Sequence, residues 1–422
     1  MEKVLKIQGI PVTELAEKYQ TPLYVYDEGM IKNKLNDYKT LFQSDLFTTE
    51  VIYACKAFCT KAMVKLVNEY GLSLDVVSGG EIYTAISAGF DPNRMYFNGN
   101  NKSIPEMDLA IRNKVKTFFV DNIMEARYLV ERMKNEDHEL HIILRVNPGI
   151  DAHTHKYIVT ANVDSKFGIA ISLKEEIAEL IRLFDESDNI VFDGFQTHIG
   201  SQIFDKNAYV ADIETMTKFM YELEQEYGIK ANTLDLGGGF AAVYTEEDTP
   251  IPLPVVCETI ISNCQKMKLK YNLSFNRVMI EPGRSVVAEA GSTLYTIGFM
   301  KETLHKKYIF VDGGMSDNIR PCLYEAKYAC DVANKMDEEK TETVCVAGKL
   351  CESGDILIQE AKIPPVVPGD LLITYTTGAY GFAMSSHYNR IERPAVVFVE
   401  DGKARLVVKR ETYEDVVSGD ID

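Results

Sequence analysis

Apolar residues along this chain fall into two rhythms. From residue 51 to residue 284, short and almost wholly apolar runs alternate with longer segments whose apolar positions repeat at helical spacing. The runs are VIYACK (51–56), LSLDVVS (72–78), MYFNGN (95–100) and TFFVDN (117–122). Four more follow: HIILRVNP (141–148), VFDGFQTHIG (191–200), NTLDLGGGF (232–240) and RVMIEPGR (277–284). Between them, Met63, Leu66, Val67 and Tyr70 follow i, i+3, i+4, i+7, with Gly71 where a helix C-terminus belongs. Ile82, Ala85 and Ile86 repeat the pattern up to Gly89, and Tyr209, Ile213, Met216, Met220 and Leu223 do so up to Gly228. Near-continuous apolar strands alternating with amphipathic helices predict a parallel sheet covered on both faces. Eight such units over this length predict a (β/α)8 barrel. The alternative is a doubly wound open sheet, but no G-x-G-x-x-G follows the first strand.

After residue 285 the rhythm changes. STLYTIGFM, KKYIFVDGG, TVCVAG, DILIQE, DLLITYT and AVVFVE read as short strands separated by Gly, Pro and Asp turns. They predict a second, mostly antiparallel β domain. The first 30 residues hold a strand at Val4–Ile7, a helix from Pro11 to Tyr19 and a strand in PLYVYD, and are expected to join it. The expected division is therefore a barrel over 31–284 and a β domain made of 1–30 and 285–422.

Composition narrows the class without changing that picture. The 422 residues are 46% hydrophobic and 26% charged, as in a globular protein. No apolar run reaches the roughly 20 residues of a membrane span, and the charged N-terminus lacks a signal-peptide core. A net charge of −18 (45 basic, 63 acidic) disfavours nucleic acid and anionic membranes as partners. The eight cysteines (55, 59, 257, 264, 322, 330, 345 and 351) contain no C-x-x-C pair, so reduced thiols in a cytoplasmic enzyme are expected. His138/His141 and His153/His155 lack further partners at metal-ligand spacing and read as surface loop residues, so no metal is expected.

In such barrels catalytic groups sit at the C-terminal ends of the strands. Those ends carry Lys56, Asp75 with Ser78, Asn98, Asp121, Arg145 with Asn147, His198 with Ser201, Gly237–Gly239, and Glu281 with Arg284. A lysine buried at a strand end has its pKa pushed down, as a Schiff-base nucleophile requires; a strand-end lysine reaching water is the bland alternative. Three successive glycines can make a tight turn or a phosphate cradle. His198 offers a ring to stack on a flat ligand, and Ser201 a hydroxyl for a phosphate. A carboxylate such as Glu281 can hold a pyridine nitrogen protonated and make its ring an electron sink. Together these groups describe a pyridoxal 5′-phosphate site.

At that point the motifs become specific. YACKA (53–57), SKFGI (165–169), QTHIGSQ (196–202), DLGGGF (235–240) and EPGRSVVAEAG (281–291) resemble the pyridoxal-phosphate decarboxylases of the alanine-racemase-like fold (fold type III). So do DGGMSDNIRPCLYEA (312–326), CESGD (351–355) and GAYGFAMSS (378–386), and together they are most similar to the diaminopimelate decarboxylase family. The resemblance implies that Lys56 carries the cofactor as a Schiff base, that His198 stacks on it, and that Glu281 meets its ring nitrogen. Ser201, Gly238, Pro282, Gly283 and Arg284 would hold its phosphate and ring. Arg284, Arg320 and Tyr324 would bind the non-reacting end of the substrate, and Tyr380 both phosphate and substrate. Cys351, as proton donor, and Glu352, on the distal ammonium, would enter from the second subunit of a homodimer. The implied reaction is decarboxylation of meso-2,6-diaminopimelate to L-lysine.

Three stretches depart from the family's pattern: Ala57-Phe58 for the usual Ala-Asn, Ala241-Ala242-Val243 for a glycine-containing run, and His387 for asparagine. Decarboxylases of the same fold acting on ornithine, lysine or arginine are the main rival reading, although their substrates give Arg320 no distal carboxylate to bind. An amino-acid racemase is disfavoured by Glu281, where alanine-racemase relatives place an arginine. A non-catalytic cofactor carrier would not need CESGD, and an inhibitor-like relative would lack Lys56 or Cys351.

Overall fold

The computed structural model describes residues 3–150 and 165–421. The chain divides into two compact units, one of residues 34–241 and 250–283, the other of residues 1–33, 242–249 and 284–422.

The first unit is a closed barrel of eight parallel strands: β1 (Thr48–Ala54), β2 (Ser73–Val76), β3 (Met95–Phe97), β4 (Thr117–Val120), β5 (Leu140–Asn147), β6 (Ile190–Gln196), β7 (Thr233–Asp235) and β8 (Arg277–Ile280). Sequential neighbours pair throughout, and β8 closes on β1 with Ile280 opposite Val51. Apolar side chains from β1, β3, β4, β5 and β8 meet in the core, with Ile52, Tyr96, Phe119, Ile143 and Met279 packed as one cluster. Seven helices follow the first seven strands: α1 (Lys61–Glu69), α2 (Gly79–Ser87), α3 (Ile104–Arg112), α4 (Ile123–Met133), α5 (Lys174–Leu183), α6 (Lys206–Tyr227) and α7 (Leu253–Tyr271).

Side-chain caps fix the starts of five of these helices. Thr60, Ser78, Asn122 and Asp205 accept backbone N–H groups at the starts of α1, α2, α4 and α6, and Ser103 with Glu106 forms a capping box at α3. Ser78, expected at the pocket rim, is therefore engaged in capping α2. Helix ends follow the glycines: Gly71, Gly89 and Gly228 all have positive φ. His141 lies within β5, its Nδ1 3.0 Å from Asp193, rather than on a surface loop. His138 stands in a turn beside Glu136 and Asp137, whereas His153 and His155 lie outside the described residues.

The second unit is built on a twisted sheet in the order Ile356–Ile363, Glu342–Ala347, Lys307–Val311, Gly291–Glu302, Leu23–Asp27, Ala395–Glu400 and Lys403–Val408. Most pairs are antiparallel; Leu23–Asp27 with Ala395–Glu400, and Lys307–Val311 with Glu342–Ala347, run parallel. The N-terminal PLYVYD strand thus lies in the middle of this sheet. Its core is apolar, from Tyr295, Ile297, Val346 and Leu372 on one side to Val25, Leu294, Ile373 and Val397 on the other. Residues 242–249, within the stretch expected to be barrel, belong to this unit because their backbone bonds there. Tyr244 O accepts from Ala329 N at 3.3 Å, and Val243 O accepts from Thr376 Oγ1 at 2.9 Å.

Candidate active site

The C-terminal end of the barrel holds a cavity of about 330 Å³ lined by Lys56, Asn98, Lys102, Arg145, Phe167 and His198 among others, within the size range of small-ligand sites. Lys56 sits in a single 3₁₀ turn, Cys55–Ala57, which follows β1 directly. Cys55 and Ala57 are buried, while Lys56 is exposed into the cavity, so the expectation of a buried lysine is corrected. The turn aims its flanking residues into the core and leaves the amine facing the space where a ligand fits. Phe58, one of the departures from the family's pattern, is fully buried, and its carbonyl accepts Tyr53 OH at 2.9 Å.

The tips of β6, β7 and β8 meet at the three glycines. A Cβ on Gly238 would stand 2.3 Å from Glu281 O, and one on Gly237, whose φ is +63°, would stand 2.4 Å from Thr197 O. Only glycine allows the three tips to pack this closely. The approach is sealed by Glu281 N to Gly237 O at 2.8 Å and by Ile203 N to Gly239 O at 2.9 Å, so the loop carrying Ser201 runs alongside the glycine turn. Gly238 N donates to His198 Nδ1 at 3.1 Å. Burial and the positive charges of Lys56 and Arg145 hold the His198 pKa well below its usual value. The imidazole is therefore neutral, with its remaining proton on Nε2.

Glu281 ends β8 with one carboxylate oxygen accepting Gln196 Nε2 at 3.2 Å. Its other oxygen, Oε1, is buried and meets no donor among the described residues. Burial, followed by the nearby carboxylates Asp235 and Asp75, pushes its pKa well above the usual range, against the opposing pull of Lys56 and Arg145. Asp235, which accepts Gly237 N at 2.8 Å, is pushed up to about 7, mainly by burial. Three acids thus converge at the floor of the site. A buried carboxyl group that retains a proton, beside a glycine cradle, fits a phosphate and a ring nitrogen that can take that proton.

On the opposite wall, Arg145 is buried, with its guanidinium 4.4 Å from the Phe167 ring of the SKFGI motif. Lys102 Nζ is bonded to Glu125 at 2.7 Å and to the carbonyls of Gly99 and Phe119. Lys102 and Glu125 escaped the sequence reading because they stand 23 residues apart on loop and helix, with no local spacing to link them.

In the β unit, Arg284 and Arg320 are each 7% exposed. Arg284 opens the turn Arg284–Val287, and its guanidinium lies 4.8 Å from the Tyr380 ring and 5.7 Å from that of Tyr244. Arg320 opens the turn Arg320–Tyr324, with Pro321 in its first turn, and lies among the rings of Tyr244, Tyr324 and Tyr328. Among the described residues no carboxylate pairs with Arg320. The same unit presents Cys351 and Glu352, both exposed, on the loop after the Glu342–Ala347 strand. Asn389 Oδ1 accepts Cys351 N at 2.7 Å, and Tyr388 OH donates to Glu352 at 3.3 Å. Asp355, the last residue of CESGD, accepts Met315 N and Leu350 N, so one carboxylate braces both this loop and the one leading to Arg320. His387 pairs with Glu411.

Residues 28–288 match the pyridoxal-binding domain of the pyridoxal-dependent decarboxylases. The chain is 47% identical to the diaminopimelate decarboxylase of Bacillus subtilis over 99% of its own length and 95% of that protein's. The chain belongs to the diaminopimelate decarboxylase family. The diaminopimelate decarboxylase of Bacillus methanolicus is 45% identical over 96% of this chain and 94% of its own. The crystal structure of the M. jannaschii diaminopimelate decarboxylase in complex with L-lysine superposes with a TM-score of 0.92 at 33% identity. That match covers 100% of this chain and 97% of the other. The barrel and β domain expected from the sequence are the family's architecture, and membership carries the expectation of pyridoxal chemistry.

Proposed function

We propose that this chain decarboxylates meso-2,6-diaminopimelate to L-lysine and carbon dioxide with pyridoxal 5′-phosphate as cofactor. The observation that carries the substrate choice is Arg320: a buried guanidinium held by tyrosines, with no carboxylate partner among the described residues. A buried cation without a counter-charge is costly, and a substrate carboxylate remote from the reacting carbon supplies one. Ornithine, lysine and arginine, the substrates of the rival reading, have no second carboxylate.

When bound, the cofactor withdraws electrons from the carbon that loses its carboxylate. Lys56 would hold the cofactor, and Ser201, Gly238, Pro282, Gly283, Arg284 and Tyr380 would hold its phosphate and ring. Neutral His198 would stack on it without adding charge. Glu281, with Asp235 and Asp75 close by, would hold a proton at its ring nitrogen. Arg284, Arg320, Tyr324 and Tyr380 orient the distal end of the substrate by a charge-assisted, forked contact. The C–C bond to the departing carboxylate breaks, and a proton from Cys351 or Lys56 replaces it.

The exposure of Cys351 and Glu352 supports their delivery to a second subunit's site in a homodimer, with Glu352 on the distal ammonium. No helix among the described residues is long and apolar enough to cross a membrane. All eight cysteines are free, which supports work in the reducing cytoplasm. Carbon dioxide release from meso-diaminopimelate, L-ornithine, L-lysine and L-arginine tests the proposal. The expected preference is for meso-diaminopimelate, and preference for any of the others refutes it.

A further inference from the structure

We propose that Tyr388 and Asn389 are positioning residues: one left-handed turn of the β unit holds Cys351 and Glu352 ready for the substrate. The inference rests on the reading of Cys351 as proton donor and Glu352 as the grip on the distal ammonium, and deepens it. Asn389 Oδ1 accepts Cys351 N at 2.7 Å, and Tyr388 OH donates to Glu352 Oε2 at 3.3 Å. Two successive side chains of one segment thus meet two successive residues of another.

The turn itself has a backbone that side chains resist. Arg390 N closes it on His387 O at 2.7 Å, while Asn389 has φ +56° and ψ +21° and Arg390 has φ +60°. Left-handed backbone costs a non-glycine residue about 1–2 kcal/mol, asparagine less than most. Such conformations persist where surrounding contacts impose them, and they gather at functional sites. Contacts on either side do so here. His387 pairs with Glu411, which also accepts Arg393 N at 3.0 Å, and Arg390 pairs with Asp420 at 2.6 Å.

The loop they meet needs such support. Cys351 and Glu352 are exposed, and Glu352 N reaches only back to Leu350 O, at 2.9 Å. The bond from Cys351 N to Asn389 ties the donor's own peptide to a segment outside its loop. Proton transfer needs donor and carbon within about 3–3.5 Å, and a misplacement of about 1 Å can cost about 100-fold in rate. Glu352 receives Tyr388 OH on one oxygen and Gly354 N on the other, at 3.4 Å. Both donors are neutral, so they orient the carboxylate and leave its negative charge for an ammonium. Tyr388 and Asn389 lie just past the last motif that pointed to the site.

The test measures kcat and KM for meso-diaminopimelate, with Tm, on the cofactor-loaded enzyme and four variants. Asn389→Gly keeps access to the left-handed backbone but loses the acceptor, whereas Asn389→Asp keeps an acceptor oxygen. Tyr388→Phe keeps the ring and loses the hydroxyl, and Cys351→Ala removes the thiol. Asn389→Gly should lower kcat about 10-fold with little change in KM, the loss of one hydrogen bond that places the donor. Asn389→Asp should restore most of that loss. Tyr388→Phe should raise KM about 5-fold and leave kcat nearly unaltered, because Glu352 grips the substrate alike before and during the reaction. All three turn variants should melt with the parent. A merely structural turn would instead lower Tm and impair kcat and KM together in every variant. That result, unchanged kinetics, or an Asn389→Asp enzyme no better than Asn389→Gly overturns the inference. A Cys351→Ala enzyme with parental kcat refutes the proton-donor reading itself, and the role of Asn389 falls with it.

Discussion

Asp212 offers a quantitative check on the electrostatics beneath the site. It lies on α6, fully buried, where Thr197 Oγ1 donates to its Oδ2 at 2.7 Å while Oδ1 meets no partner among the described residues. Thr197 directly precedes His198, and burial raises the Asp212 pKa to about 7. In the unfolded chain an aspartate titrates near about 3.9. Below that pH both states bind the proton and the group costs nothing. As pH rises from about 4 to about 7, the unfolded chain releases the proton while the native state retains it, so stability falls. At about 1.36 kcal/mol per unit over some three units, the loss reaches about 4 kcal/mol above pH ~7.

Asp212→Asn cannot titrate but places an amide where Oδ1 has no partner, a cost of about 1–3 kcal/mol at every pH. The variant should therefore be less stable than the parent by about 0–2 kcal/mol near pH ~4.5, where the parent has lost about 1 kcal/mol, and more stable by about 1–3 kcal/mol near pH ~8.5. Urea unfolding of both cofactor-loaded proteins across this range measures the difference. A stability gap that stays constant with pH would refute a buried, proton-retaining Asp212.

Two further tests address the site directly. Gly238→Ala would set a Cβ 2.3 Å from Glu281 O, a backbone contact that cannot yield without moving the β8 tip; about 1–3 kcal/mol of stability should be lost together with cofactor retention on gel filtration. Full retention with an unchanged melting temperature would show that the three tips are not tightly packed. Lys56→Ala and Cys351→Ala subunits should each be inactive. Mixed at equal amounts and allowed to exchange, half the dimers become hybrid with one intact site of two, giving about one quarter of parental activity. Activity that stays at the level of the separate variants would rule out Cys351 acting across an interface.

The barrel was legible because strands buried on both faces must be almost wholly apolar, and the strand ends then name their own polar tips. The positions of Glu281 and the glycine turn followed from chain order alone. Local spacing carried less elsewhere. Lys403–Val408, part exposed and without strict alternation, gave no strand signal. The exposure of Lys56 depends on the 3₁₀ turn that turns its neighbours inward, which the apolar run does not encode. Tyr244 was unreadable for a different reason. Its partner Arg284 is 40 residues away, and the hydrogen bonds that draw residues 242–249 into the β unit are all long-range.

The hydrogen bond from Gly238 N to His198 Nδ1 limits what the imidazole can do. A second proton on that ring would have to displace the N–H already pointing at its lone pair, and with it the glycine turn that sets the spacing of β7 and β8. His198 is thus a wall rather than a shuttle. Any proton that crosses the end of the barrel must travel by another route, and in the proposed reaction this ring would stay out of the proton traffic.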